Sequence, residues 1–327
     1  MDKISVVTSL YNSAPYIKEF HSRHLQCLER LGVHFEFIFV NDGSPDSSEA
    51  IVRDLVASSK NVTLISLSRN YGQHAGMFAG LSHATGNYIY ATDCDLEEPP
   101  ENIELLYRAI KTDPKTDVYY CVLKQRRGDF FRNVCGKLFY ILLDVISEVK
   151  VPHDQAWQRI MTKRYVEALL RYTEVETLPA GLMMLAGFHQ KPIEIDKHFK
   201  GTSSYTARMR LKLAINSITS FSSKPLIFVG VFGLFVTASA FLLLAFTITR
   251  KLLVADYQAG WLSLIGSIWC IGGLILSSVG IVGVYLSKIF NQVKSRPLFI
   301  IKEIVSSEEQ SYYSHPRLTQ RIRNEVF

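Results

Sequence analysis

Short runs of β-branched and aromatic residues recur along the first part of the chain: Ile4 to Leu10, Phe35 to Asn41, Val62 to Leu67, Tyr88 to Thr92 and Val118 to Leu123. Amphipathic segments of about 10 to 20 residues separate most of them, so strand and helix periods alternate. That order predicts an α/β fold, a mostly parallel sheet with helices on both faces. The pattern changes after residue 200. Leu211, Ala214, Ile215, Ile218 and Phe221 recur at helical spacing, while Arg208, Arg210, Lys212 and Asn216 fall mainly elsewhere around the helix. This predicts an interfacial amphipathic helix lying on a bilayer. Two uncharged apolar stretches follow, Pro225 to Thr249 and Tyr257 to Ser287. At about 1.5 Å per residue each can cross a hydrocarbon layer of about 30 Å, and together they predict a transmembrane hairpin.

The flanking charges orient the hairpin. Arg208, Arg210, Lys212 and Lys224 precede the first stretch and Lys288, Lys294, Arg296 and Lys302 follow the second; between them lie Arg250, Lys251 and Asp256. The asymmetry places both termini and the α/β domain on the cytoplasmic side of a multi-pass protein. Met1 to Leu10 leads straight into a strand pattern and does not resemble a signal peptide. The net charge of +6 over 327 residues concentrates around the apolar stretches and in Lys124 to Arg127. Anionic lipid headgroups or phosphate suit that distribution better than nucleic acid, for which no motif is present. Five cysteines, Cys27, Cys94, Cys121, Cys135 and Cys270, lack CxxC spacing, which argues against disulfides and a structural zinc site.

Ligands of parallel sheets gather at the carboxyl ends of the strands. Three polar clusters stand there: Tyr11-Asn12, Asn41-Asp42-Gly43-Ser44 and Asp93-Cys94-Asp95. Asp42 suits either a hydrogen bond to a base or ribose, or an Asx turn or cap ahead of Ser47. Asp93 and Asp95 point to the same side of an extended segment, and two carboxylates so spaced suit a hard divalent ion that also binds phosphate oxygens.

Four stretches occur together: Ser5-Val-Val-Thr-Ser-Leu-Tyr-Asn12, Phe39-Val-Asn-Asp-Gly-Ser-Pro-Asp46, Ser68-Arg-Asn-Tyr-Gly-Gln-His-Ala75 and Asp93-Cys-Asp-Leu-Glu-Glu-Pro-Pro100. In combination they resemble a family-2 glycosyltransferase of the GT-A fold. Phe290-Asn-Gln-Val-Lys-Ser-Arg-Pro297 extends the similarity to about residue 303. Within the family the chain looks most like the polyisoprenyl-phosphate glycosyltransferases, which include dolichyl-phosphate mannose synthases and the bacterial GtrB and ArnC enzymes. The resemblance implies that Asp42, Arg69 and backbone near Thr8 to Leu10 line a nucleotide pocket. It implies that Asp93 and Asp95 hold Mg²⁺ or Mn²⁺ on the donor diphosphate, with Asp95 first as direct ligand.

On the acceptor side the chain departs from GtrB-like sequences. The usual second acid is replaced by Trp157 in Ala156-Trp-Gln-Arg-Ile-Met161. Asp154 is the nearest acid upstream, as in the mannose synthases, and Arg159 matches the family arginine. The resemblance makes Asp154 and Arg159 the catalytic pair, with Arg159 clamping a lipid phosphate beside Arg126, Arg127 and Arg132. Ser204 in Lys200-Gly-Thr-Ser-Ser-Tyr205 takes a position where the family carries lysine. A lipid phosphate is largely ionised at neutral pH and can attack without a protein base, so Asp154 suits orientation as well as proton transfer.

The implied activity is inverting transfer of one sugar from a nucleotide sugar, a UDP-sugar first, to undecaprenyl phosphate at the cytoplasmic face of the inner membrane, for envelope glycan modification. The implied partners are that donor, that acceptor, membrane lipids and further copies of the chain, as a tetramer. A processive polysaccharide synthase and a noncatalytic scaffold of the same fold are the rival readings. The resulting plan has a cytosolic GT-A domain over residues 1–200, a loop and interfacial helix over 201–224, a transmembrane hairpin over 225–287 (225–249 and 257–287) and a cytosolic tail over 288–327.

Overall fold

The computed structural model describes residues 1–123, 155–172, 179–195, 224–253 and 261–307. Five strands fall on the five predicted runs: β1 (Lys3–Leu10), β2 (His34–Asn41), β3 (Val62–Leu67), β4 (Tyr88–Ala91) and β5 (Val118–Leu123). The helices α1 (Ile17–Leu31), α2 (Ser48–Ser58), α3 (Gln73–Leu81) and α4 (Asn102–Thr112) alternate with them. Then come β6 (Gln155–Thr162), α5 (Lys163–Leu169), α6 (Pro179–Leu185), β7 (Gln190–Ile195), α7 (Lys224–Leu253), α8 (Trp261–Val293) and β8 (Ile301–Ser306).

The strands form one sheet in the order β7-β5-β6-β4-β1-β2-β3-β8. β1 is parallel to β2 and β4, β2 to β3, and β5 to β7; β6 runs antiparallel between β4 and β5, and β8 runs antiparallel along β3. The sheet is therefore mostly parallel, as the alternating pattern predicts. Its central strands read as near-continuous apolar runs because both faces are covered. On one face Phe20, Leu28, Val52 and Ile103 pack against Phe37, Phe39 and Tyr90. On the other, Met77, Phe78, Tyr165 and Met183 pack against Val7, Ile38 and Ile89.

Two findings alter the predicted plan. Residues of the expected tail form β8, and Arg53 on α2 pairs with Glu303 on that strand, so the chain returns from the apolar region to complete the sheet edge. Helices α7 and α8 lie over the two apolar stretches, and α8 runs past Ser287 to Val293. Among the described residues one helix, at Ile271–Val293, is long and apolar enough to cross a membrane, where the pattern predicts two. The interfacial helix expected over 201–224 lies outside the described residues, apart from Lys224.

Candidate active site

Because β1, β2 and β4 are parallel neighbours, their carboxyl ends bring the three polar clusters together. Asp42 follows β2 directly, its N–H donating to Leu10 O (3.1 Å), and Thr92 N–H donates to Val7 O (3.2 Å) just before Asp93. Thr8 and Leu10 are themselves buried, so they offer the site backbone, while Tyr11 is half exposed.

Asp42 is 1% exposed, and its two oxygens accept hydrogen bonds from the backbone N–H groups of Tyr71 (2.7 Å) and Gly72 (2.8 Å). Burial pushes its carboxyl above the ordinary carboxylate range, against the pull of those two N–H groups. Asp42 thus holds the loop ahead of α3, and the turn role belongs to Asp46. Asp46 accepts from Ser48 N–H (3.0 Å), Ala14 N–H (2.9 Å) and Ser44 Oγ (2.6 Å). Although burial pushes upward, those bonds keep its carboxyl down at about 2.

Gly43 allows the loop to sit this close. It has φ +62°, and a Cβ there would lie 2.6 Å from Asn70 N and 2.8 Å from the Arg69 carbonyl carbon. The backbone of Arg69 and Asn70 therefore packs on the strand ends, while the Arg69 guanidinium lies 4.1 Å from the Tyr71 ring centroid and lines a cleft toward the end of α8. The Arg69 charge also helps to hold the Asp42 carboxyl down.

The same loop reaches the acid pair. Gln73 Nε2 donates to Asp93 Oδ1 (2.6 Å) at the start of α3. Asp95 Oδ1 accepts from Glu97 N–H (3.0 Å) across Leu96, whose φ of +58° is a conformation costing a β-carbon residue about 1–3 kcal/mol. Cys94 between them is buried, and burial pushes its thiol well up, so it contributes packing. Among the described residues no group of three or more His, Cys, Asp or Glu side chains gathers as a metal site.

Glu98 carries a role that the sequence does not announce. Its carboxylate accepts from the consecutive N–H groups of Trp157 (3.1 Å) and Gln158 (2.9 Å), pinning β6 to the acid loop. Gln158 completes the join through Asn102 Nδ2 (2.7 Å) and Pro99 O (3.0 Å). The signal available was the Glu97-Glu98-Pro99-Pro100 run, whose two prolines restrict the turn. Trp157 lies against His74 of α3, with ring centroids 5.4 Å apart.

Arg159 is 1% exposed on the same face of β6 as Trp157. Its Nε donates to Trp157 O (3.2 Å), its guanidinium lies 5.1 Å from the Trp157 ring centroid, and burial pushes its pKa down. Met183 of α6 also lies against that guanidinium. Asp154, Arg126, Arg127, Arg132 and Ser204 lie outside the described residues.

Comparison with known proteins adds to this geometry. The family described as "Glycosyl transferase family 2" matches residues 5–170. The chain is 36% identical over 308 residues to a protein called "Putative glycosyltransferases" in Mycobacterium tuberculosis (strain CDC 1551 / Oshkosh), covering 94% of this chain and 89% of that one. It is 31% identical over 312 residues to the uncharacterized glycosyltransferase YkcC of Bacillus subtilis (strain 168), covering 94% and 96%. It is also 31% identical over 304 residues to the SfII prophage-derived bactoprenol glucosyl transferase of Shigella flexneri, covering 92% and 98%.

Proposed function

The chain belongs to glycosyl transferase family 2, and from that premise we propose that it moves a single sugar from a nucleotide sugar to a polyprenyl phosphate, with inversion. The observation that carries this reading is the join between a strand-end acid site and a long apolar helix through β8. Exposed apolar residues along α8, among them Ile271, Leu276, Val279 and Leu286, have no cover among the described residues, which supports contact with lipid. The Shigella flexneri relative supports a bactoprenol-type acceptor. A UDP-sugar donor, a second membrane span in α7 and cytoplasmic placement of both termini belong to the same reading.

Asp93 and Asp95 fit a hard divalent ion, Mg²⁺ or Mn²⁺, since both are carboxylates and donor phosphate oxygens complete such a set. Bound there, the ion supplies Lewis-acid stabilisation of the leaving diphosphate. Asp42 shapes the nucleotide pocket through Tyr71 and Gly72. The acceptor phosphate, already ionised, attacks the anomeric carbon from the face opposite the leaving group. Asp154, Arg159, Arg126, Arg127, Arg132 and Ser204 form the acceptor side in this reading.

The test is to incubate the purified full chain with short-chain polyprenyl phosphate and a panel of nucleotide sugars, then identify lipid products by mass spectrometry. A lipid carrying one sugar is expected, lost in excess EDTA and in folded Asp95→Asn. A polymeric product would favour a processive synthase. No product with any donor would favour a scaffold. Protease added to sealed right-side-out vesicles should spare both termini.

A further inference from the structure

Where α8 ends, the chain turns through Lys294, Ser295 (φ +47°) and Arg296 to Pro297. It then meets the sheet: Ser68 N–H donates to Ile300 O (2.9 Å), and β8 pairs with β3. The loop after β3 and the end of α8 are therefore held side by side. Between them lies a cleft of about 300 Å³ lined by Arg69, Tyr71, Asn291, Lys294, Arg296 and Pro297.

Three cations face this cleft, and among the described residues no carboxylate lines it. Among the described residues none of the three forms an ion pair, whereas Arg23, Arg30, Arg53 and Arg164 each find one. Two are held in place by rings: Arg69 over Tyr71, whose hydroxyl lies 2.9 Å from Ser68 Oγ, and Lys294 Nζ, 3.8 Å from the Phe290 ring centroid. Like charges gathered together repel, and an anion between them removes that repulsion. Ordering the side chains beforehand lowers the entropy lost on binding. The guanidinium groups of Arg69 and Arg296 also match phosphate oxygens through planar donor forks.

Position selects among phosphates. Lys294 and Arg296 follow directly on the apolar segment Ile271–Val293, the level at which a spanning helix meets headgroups. We propose that this cleft binds the phosphate of an anionic membrane lipid and so fixes the sheet, and the loop that Asp42 holds, against the bilayer surface. The proposal rests on α8 crossing the membrane, as in the function proposed above. The donor diphosphate is the lesser candidate, because Arg69 turns its backbone toward Gly43 and the strand ends and its guanidinium toward the cleft.

The experiment titrates the detergent-solubilised full chain with phosphatidylglycerol, phosphatidylcholine and soluble glycerol phosphate, reading bound lipid by native mass spectrometry. UDP affinity is measured in parallel by calorimetry. The wild type is expected to prefer phosphatidylglycerol over the other two by roughly tenfold. The double variant Lys294→Gln with Arg296→Gln should lose that preference and keep its UDP affinity, while a charge-matched control, Lys115→Gln with Lys163→Gln, keeps both. Preference persisting in the double variant, equal binding of soluble glycerol phosphate, or loss of UDP affinity in its place would overturn the proposal. If the double variant does not fold, Lys294→Gln alone carries the test. Extraction of membranes at alkaline pH judges the span separately, since release of the wild type would sink the reading of α8 while the lipid titration still decides the cleft.

Discussion

Asp42 and Glu98 perform the same physical task in two halves of the site, and the halves were assembled differently. Each is a buried carboxylate that accepts from two consecutive backbone N–H groups, Tyr71 and Gly72 for Asp42, Trp157 and Gln158 for Glu98. Such charge-assisted bonds are about twice as strong as neutral ones. Asp42 ties together adjacent β-α units of the parallel half, where the loop after one strand meets the loop after the next. Glu98 instead captures β6, a strand inserted antiparallel between β4 and β5. The half around Asp42 is thus a product of local order and the half around β6 a product of long-range pairing.

The largest expected effect breaks the half around Asp42. Asp42→Ala leaves the N–H groups of Tyr71 and Gly72 without their acceptor, at a cost of about 2–4 kcal/mol. Thermal unfolding in detergent and calorimetry with UDP should show lower stability and weaker binding, with Asp42→Asn partway between. Wild-type behaviour in Asp42→Ala would mean that the loop is held by something else.

Acidification loads β4, the strand both halves share. His24 packs on Tyr90 of β4, ring centroids 5.7 Å apart, and burial pushes its pKa down to about 4. The unfolded chain takes up that proton near pH 6.5 and the folded chain near pH 4, so the stability present above pH 6.5 falls as pH drops between the two. At about 1.4 kcal/mol per pH unit the loss reaches about 3 kcal/mol. Melting temperature followed from pH 7.5 to 4.5 should fall less steeply in His24→Leu, and parallel slopes would remove His24 from the account.

Glu98→Gln sharpens the comparison. One oxygen still accepts, but the new amide opposes the other N–H, at a cost of about 1–2 kcal/mol. Turnover should fall while UDP affinity holds, the reverse of the Asp42 pattern; reduced UDP binding would mean that the halves are not separable. Gly43→Ala strikes the same join sterically, because φ +62° disfavours a Cβ and that Cβ would lie 2.6 Å from backbone Asn70 N. The φ alone costs about 1–2 kcal/mol and the clash adds to it, so stability and part of the UDP affinity should be lost as the loop gives way.

The α/β class, strands β1 to β5 and the three strand-end clusters were legible in the amino-acid sequence, because a strand buried on both faces must carry a continuous apolar run and the turn after it must be polar. Asp93 and Asp95 were legible for the same reason, standing directly after such a run. β6 and β8 were not, since Gln155-Ala-Trp-Gln-Arg159 and Ile301-Lys-Glu-Ile304 mix polar and apolar residues, and only their partners, β4 with β5 and β3, make them strands. Nor does an arginine in a sequence announce whether it will be buried, as Arg159 is beside Trp157, or open to a cleft, as Arg69 is beside Lys294 and Arg296. Periodicity is a local property that the chain carries with it. The surroundings of a charge are supplied by segments far away in sequence, so the tertiary structure alone decided which arginine is buried and which lines an open cleft.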